Sequence, residues 1–223
     1  MATFWELLLN FFFPLQCVIC GRLLAADNKE RICGDCWSRI IYLNRPIDIK
    51  LSLERIWSVA VYEGVLKELI HQFKYKERKY LASPLGKLLV DFVDEYLKEE
   101  RFDYIVPIPL EKARQKKRGY NQAELLARVL GEAMNKPILT DLVERRKKTK
   151  PQFGLNREER FENLSGAFEI SKTGEEDIPT IAGKKILLLD DLTTTGATLD
   201  ECARALRTAG VSEIYALVLA HGM

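Results

Sequence analysis

Apolar and polar residues follow two rhythms along this chain, and the changes between them mark the elements. A period of two runs through Ile56 to Tyr62. Asp103 to Ile108 has the same extended character until prolines 107 and 109 interrupt it. Two further segments, Ile186 to Leu189 and Ile214 to Ala220, are apolar without alternation. Runs that short suit strands covered on both faces of a parallel sheet better than buried helices. Helical periodicity recurs in Val65 to Phe73 and in Leu85 to Leu97. It returns from Asn121 through Leu125, Leu126, Val129 and Leu130, and from about Leu199 through Cys202, Ala203 and Leu206 to a stop at Gly210. Strands alternating with helices predict an α/β fold, a central mainly parallel sheet flanked by helices.

The remaining stretches are less regular. Phe4 to Phe13 reads as a short amphipathic helix stopped by Pro14 and packed on the chain's own body. Asn44 to Leu53, with Pro46, reads as a linker. Leu142 to Phe168 is long, basic and poor in periodicity, so it reads as a functional loop, and Thr173 to Gly183 as an acidic connection. The expected organisation is an N-terminal helix and metal module over residues 1–45 and a main domain over 54–223. A chain of 223 residues has room for both.

Composition narrows the class. With 47% hydrophobic and 30% charged residues, the chain can build a core. The net charge of +2 does not by itself point to nucleic acid, but its distribution is uneven. Between Pro107 and Arg160 there are 14 Lys/Arg against 7 Asp/Glu. Such a local excess suits a phosphate-rich ligand, and equally a solvated basic surface. No apolar run is long enough for a membrane span. The apolar start carries Glu6 and lacks a basic lead, unlike a secretory signal, so a cytoplasmic location is expected.

Cys17-x-x-Cys20 and Cys33-x-x-Cys36 form two knuckles that can present four thiolates tetrahedrally, the arrangement zinc requires. Nothing marks the chain as secreted, which disfavours disulfides. Rubredoxin-like iron uses similar spacing and stays open as an alternative. Four protein ligands leave no position for catalysis, so the metal is expected to be structural. Cys202 lies apart and reads as a core residue.

Around Lys185 to Gly210 the order is strand, loop, helix, strand. Asp190 and Asp191 follow where the first strand is expected to end. Leu192, Thr193, Thr194, Thr195, Gly196, Ala197 and Thr198 then lead into a helix. A loop entering a helix offers backbone N–H groups and the positive end of the helix dipole to a phosphate. Threonine hydroxyls add donors. The two carboxylates cannot hold that phosphate, but they can accept hydrogen bonds from a sugar diol beside it. A phosphate loop next to a diol acceptor describes a ribose 5-phosphate site. Neither the Walker pattern nor G-x-G-x-x-G is present.

Two basic stretches lie elsewhere. Lys74, Tyr75, Lys76, Arg78 and Lys79 interleave cations with an aromatic ring, a mix that binds phosphates and stacks bases, or forms an ordinary exposed turn. Lys112, Arg114, Lys116, Lys117 and Arg118 form a basic turn after Pro107, Ile108 and Pro109. Strand end, turn and following helix make a second anion site, suited to a pyrophosphate. Neither histidine, His71 or His221, reads as a general base.

Asp190 to Thr198 resembles the 5-phosphoribosyl 1-pyrophosphate (PRPP) signature of type I phosphoribosyltransferases. Taken with the four cysteines, KYKERK, VPIPL, RGYNQAELLA and the spaced set Arg145, Thr149, Gln152, Leu155, Arg160 and Asn163, the chain resembles the ComF family of competence proteins over nearly its whole length. The resemblance implies a type I phosphoribosyltransferase fold with a zinc module. It also implies a role in handling single-stranded DNA during natural transformation, beside a competence helicase or other DNA-uptake proteins. Asp190 and Asp191 would hold the ribose hydroxyls and act in catalysis, and Leu192 to Thr198 would hold the 5-phosphate. Pro107 to Pro109 would meet pyrophosphate, often through a non-proline cis peptide, with Arg145 and Lys147 from the basic loop. Magnesium would arrive with PRPP, bound mainly by ligand and water. Phosphoribosyl transfer and a non-catalytic, zinc-containing DNA adaptor with a sensory PRPP pocket are both compatible with these residues. A transcriptional regulator of the same fold ranks below them, because no helix-turn-helix precedes the core.

Overall fold

The computed structural model describes residues 14–49, 51–146 and 157–222. The helix expected over Phe4 to Phe13, Lys147, and the motif positions Thr149, Gln152 and Leu155 lie outside them. The chain runs through α1 (Gly34–Trp37), β1 (Tyr42–Ile47), β2 (Arg55–Val61), α2 (Gly64–Tyr75), α3 (Ala82–Tyr96) and β3 (Tyr104–Pro107). It continues through α4 (Lys112–Arg118), α5 (Gln122–Met134), β4 (Val143–Arg145), α6 (Arg157–Leu164) and β5 (Phe168–Ile170). It ends with α7 (Ile178–Ile181), β6 (Lys185–Thr193), α8 (Ala197–Thr208) and β7 (Glu213–His221).

Five strands form the central sheet in the order β1-β2-β7-β6-β3. All neighbours are parallel except β1, which runs antiparallel along β2. The two continuous apolar segments became β6 and β7, interior strands with helices on both faces, as their lack of alternation requires. Their side chains divide between two cores. Leu187, Leu189, Leu217 and Leu219 pack with residues of α2, α3 and α5. Ile186, Leu188, Ala216 and Val218 pack with α8. Leu69 and Phe73 of α2 are fully buried, each contributing about 1.5–3 kcal/mol. The cysteine module joins the first core through Cys17, Ile32, Cys33, Cys36 and Ile40.

Four local expectations change. The segment read as a linker from Asn44 begins inside β1, which pairs Arg45 with Ser58 and Ile47 with Ile56. Pro46 is tolerated because β1 is an edge strand. Asn44, at φ 45°, lies where the register shifts. β6 does not end at Leu189 but continues to Thr193, because β7 keeps pairing with it as far as His221. The basic turn after Pro109 is the helix α4, closed by Gly119 at φ 78°. The stretch read as one irregular loop contains an antiparallel pair, Val143 opposite Ile170 and Arg145 opposite Phe168, with α6 between them in sequence. Three-residue strands are too short for periodicity to reveal.

Candidate sugar-phosphate site and metal centre

The four cysteine Sγ atoms lie within 4.8 Å of one another. Tetrahedral zinc with bonds near 2.3 Å sets neighbouring sulfurs about 3.8 Å apart. Cys20 Sγ and Cys33 Sγ are 3.7 Å apart, which fits. The knuckles are shaped to hold thiolate: the Cys33 N–H donates to Cys17 Sγ at 3.4 Å, and Gly21, at φ 74°, donates to the Cys17 carbonyl. Burial works against ionisation of Cys17, but the N–H groups of Cys20, Cys33 and Ile19 outweigh it and bring the thiol to about 6. Burial and the other three sulfurs push Cys36 up to about 12. Four thiols this close need a cation between them before all can ionise, and the donor set fits zinc. Cys202 is elsewhere, fully buried in α8 and pushed up by burial and Asp190, as befits a core thiol.

The second site lies at the C-terminal end of the parallel strands, where open α/β sheets take ligands. The ladder between β3 and β6 stops at Pro107 opposite Leu189, followed by one hydrogen bond from Ile108 N–H to the Leu189 carbonyl at 2.9 Å. From Asp190 onward β6 therefore has an open edge. Asp190 fills part of it: its Oδ1 accepts from the Asp191 N–H at 2.8 Å. Asp191 is buried, with Lys74 Nζ 2.5 Å from Oδ2 and Gln122 Nε2 3.5 Å from Oδ1. Burial disfavours the Asp191 carboxylate, but the Lys74 ammonium outweighs it and holds the carboxyl below its usual range. Burial and the Asp191 charge push Asp190 well above that range. The two aspartates thus differ in direction: the Lys74 ammonium favours ionisation of Asp191, while burial beside that charge disfavours it for Asp190.

The loop expected to hold a phosphate follows. Gly196 caps α8 at φ 78°, a conformation that favours glycine, and a Cβ there would press on the tip of Leu51, which would have to shift. Thr195 Oγ1 accepts from Ala197 N–H at 3.4 Å. Thr194 Oγ1 accepts from the Arg160 guanidinium, and the Thr194 carbonyl lies 3.1 Å from His221 Nε2. Thr193 and Ala197 are buried, while Leu192, Thr195 and Thr198 are half-buried. Asp200 in the first turn of α8 accepts from Ser52 N–H at 2.5 Å, which fastens the segment carrying Leu51 over the loop.

On the other side, the Ile108 N–H is used on Leu189, its carbonyl accepts from Asn121 Nδ2 at 3.0 Å, and its side chain is buried. Proline has no N–H, so backbone donors for a pyrophosphate at this turn must come from beyond Pro109. The cis peptide implied by the family is not seen; among the described residues every peptide is trans. Arg145 on β4 lies over the Phe168 ring at 5.6 Å and feels the Asp190 charge.

Lys74, grouped in sequence with the exposed basic stretch, does not belong to it. It closes α2 facing the sheet, its side chain is 15% exposed, and its charge is neutralised on Asp191. The rest of that stretch does meet the second basic cluster. Arg118 stands over the Tyr75 ring at 5.4 Å, and Lys79 over Tyr120 at 5.2 Å. Arg31 of the cysteine module covers Tyr80 at 5.0 Å. Tyr75, Lys76, Lys79, Tyr80, Lys116 and Lys117 are exposed; Arg78 is half-buried and donates to Gln72. Lys112 pairs with Glu144 and Arg114 with Glu111.

The sequence motifs include Gln122 and Arg160 but assign no site role to them or to Asp200. Gln122 ends RGYNQ directly after Asn121, whose Oδ1 caps α5 by accepting from Ala123 N–H at 3.1 Å. A polar residue beside a helix cap, opposite a strand end, was the available clue.

Residues 98–223 match the family model described as Phosphoribosyl transferase domain, and residues 8–50 match the Double zinc ribbon domain. The chain is 33% identical to Competence protein F of Haemophilus influenzae, over 94% of this chain and 98% of that protein. It is 30% identical to DNA utilization protein YhgH of Escherichia coli K12, over 89% and 86%. Competence protein ComFC of Bacillus subtilis shares 32%, over 87% and 72%. No helix among the described residues is long and apolar enough to cross a membrane.

Proposed function

This chain belongs to the ComF family of competence proteins with a phosphoribosyl transferase domain, and on that premise we propose that it binds PRPP with magnesium at the end of β6 and acts on single-stranded DNA during uptake or utilization. One observation carries the proposal. A carboxylate pair at the open edge of β6 stands next to a loop whose Gly196 turns directly into the N-terminus of α8. Carboxylates accept from the ribose hydroxyls, and the helix end and the Thr194, Thr195 and Thr198 hydroxyls receive the 5-phosphate. Arg160, on Thr194, brings a cation to the phosphate side, and Arg145 brings one to the Asp190 side.

Magnesium bound with PRPP would supply charge neutralisation for the leaving pyrophosphate. The chain's residues would do the rest. Asp191 is anionic and fixed, so it accepts from the sugar and lies near a reacting carbon that gains positive charge as pyrophosphate leaves. Neither histidine is placed as a general base for an acceptor: His71 is exposed and lies tilted against Tyr75 at 5.0 Å, and His221 Nε2 lies 3.1 Å from the Thr194 carbonyl.

A second function draws on the basic-aromatic surface. Arg31 of the cysteine module stands over Tyr80, Arg118 over Tyr75 and Lys79 over Tyr120, and with exposed Lys116 and Lys117 nearby in sequence these groups have the composition of a single-strand binding surface. The test for the sugar site is calorimetric titration of the zinc-loaded protein with PRPP and magnesium, comparing wild type with D190N/D191N. The double variant is expected to lose at least ~100-fold in affinity, the scale of two charge-assisted hydrogen bonds. Equal affinity would rule out the ribose assignment.

A further inference from the structure

Four consecutive residues close α2, and each has a different partner. Gln72 Nε2 donates to the Val18 carbonyl of the cysteine module at 3.0 Å. The Phe73 carbonyl accepts from the Tyr120 hydroxyl. Lys74 pairs with Asp191 at 2.5 Å. Tyr75 lies beneath Arg118, which itself donates to Gln122. Gln122 returns to Asp191. The turn is therefore anchored to the cysteine module, to the segment before α5 and to the sugar-site strand, and Lys74 is delivered to one place.

A buried ammonium–carboxylate pair is a weak way to stabilise a fold, because desolvating both charges costs about what their attraction returns. This pair also sits beyond the last residue that β3 covers, at the strand end where the proposed ligand would bind. Gln122 and Lys74 take different oxygens of Asp191, so the carboxylate is pinned from two sides.

We propose that Lys74 is a positioning residue of the sugar site, which fixes Asp191 as an oriented carboxylate ready to accept from a ribose hydroxyl; this rests on the PRPP reading above. The groups around the pair come from every element packed there. Asp190 adjoins it on β6, Tyr75 on α2, Tyr62 after β2 and Gln122 on α5, with Arg145 of β4 and Cys202 of α8 on the Asp190 side. Without Lys74, two carboxylates stand together without that ammonium, and a like-charged pair shares a proton. Removing Lys74 should therefore weaken the acceptor most at low pH.

The experiment is the same calorimetric titration on wild type, K74M, K74Q, K74R, D191N and K74M/D191N, at about pH 6 and about pH 8.5, with affinities expressed relative to wild type at each pH to cancel the ligand's own titration. Zinc content and thermal melting confirm that each variant folds, and K74Q provides a second uncharged side chain. K74M and K74Q should lose ~10-fold or more at the lower pH and recover part of it at the higher. K74R should stay near wild type, and K74M/D191N should bind no worse than D191N. Wild-type affinity in both uncharged variants would overturn the inference while leaving the PRPP reading intact. Additive losses in the double variant would also overturn it, making Lys74 a direct contact to the ligand. Absence of PRPP binding by wild type itself would remove both.

Discussion

The cysteine module and the proposed sugar site manage buried charge in opposite ways. The module draws its four thiols from residues 17 to 36, and a single cation would satisfy all of them. The sugar site draws on α2, α5, β6 and the loop before α8, and it satisfies its charge within the protein, through Lys74, Gln122 and the Asp191 N–H. The first is a closed structural device. The second is an open one, whose internal partners leave further lone pairs for a ligand. Closure suits stability, and openness suits binding.

The largest expected effect breaks the module. Cys17, Cys33 and Cys36 share a core with α2, so metal removal should propagate. A strong chelator, or C17S/C36S, is expected to lower the melting temperature by more than ~10 °C, since metal affinity in such modules is folding free energy. An unchanged melt would contradict the structural role.

Asp190 tests the opposite character of the sugar site. Its folded pKa is raised by burial and Asp191, so its contribution to stability is fully present below the unfolded value and lost as pH rises through the folded one. At neutral pH the ionised group is therefore a burden. D190N should raise the melting temperature at pH 7, with the gain vanishing below about pH 4, while PRPP affinity falls. A loss of stability at pH 7 would contradict the assigned direction.

The basic-aromatic surface gives a separate prediction for DNA. Y75A/Y80A should weaken single-stranded DNA binding by about 1–3 kcal/mol per stacked base and leave its salt dependence unchanged. K116A/K117A should instead flatten the salt dependence. Reversed outcomes would reject a stacking platform. Smallest of all is Q72L, which removes the hydrogen bond between α2 and Val18. It should cost about 1 kcal/mol of stability and a few-fold of PRPP affinity, through Lys74.

Much of this contrast was legible in the sequence because it is local. Four cysteines at two fixed spacings define a metal site without any tertiary knowledge. The motif from Ile186 to Thr198 carries its strand, loop and helix together, and Asn121 announces the helix it caps. The Lys74–Asp191 pair was not legible. Lys74 sits among three other basic residues in KYKERKY, and only the packing of α2 on the sheet turns it inward while its neighbours remain in water. β1 escaped because Pro46 reads as a linker residue, although an edge strand tolerates it. Short β4 and β5 escaped because three residues cannot establish a period. The extension of β6 to Thr193 depends on the length of β7, not on the residues of β6.

The most direct measurement of the central claim is a crystal structure of the zinc-loaded protein with PRPP and magnesium. The account predicts the 5-phosphate in the loop from Thr194 to Thr198, the ribose hydroxyls on Asp190 and Asp191, and Lys74 still paired with Asp191. Ligand bound instead along Lys116 to Arg118, with the end of β6 empty, would contradict it.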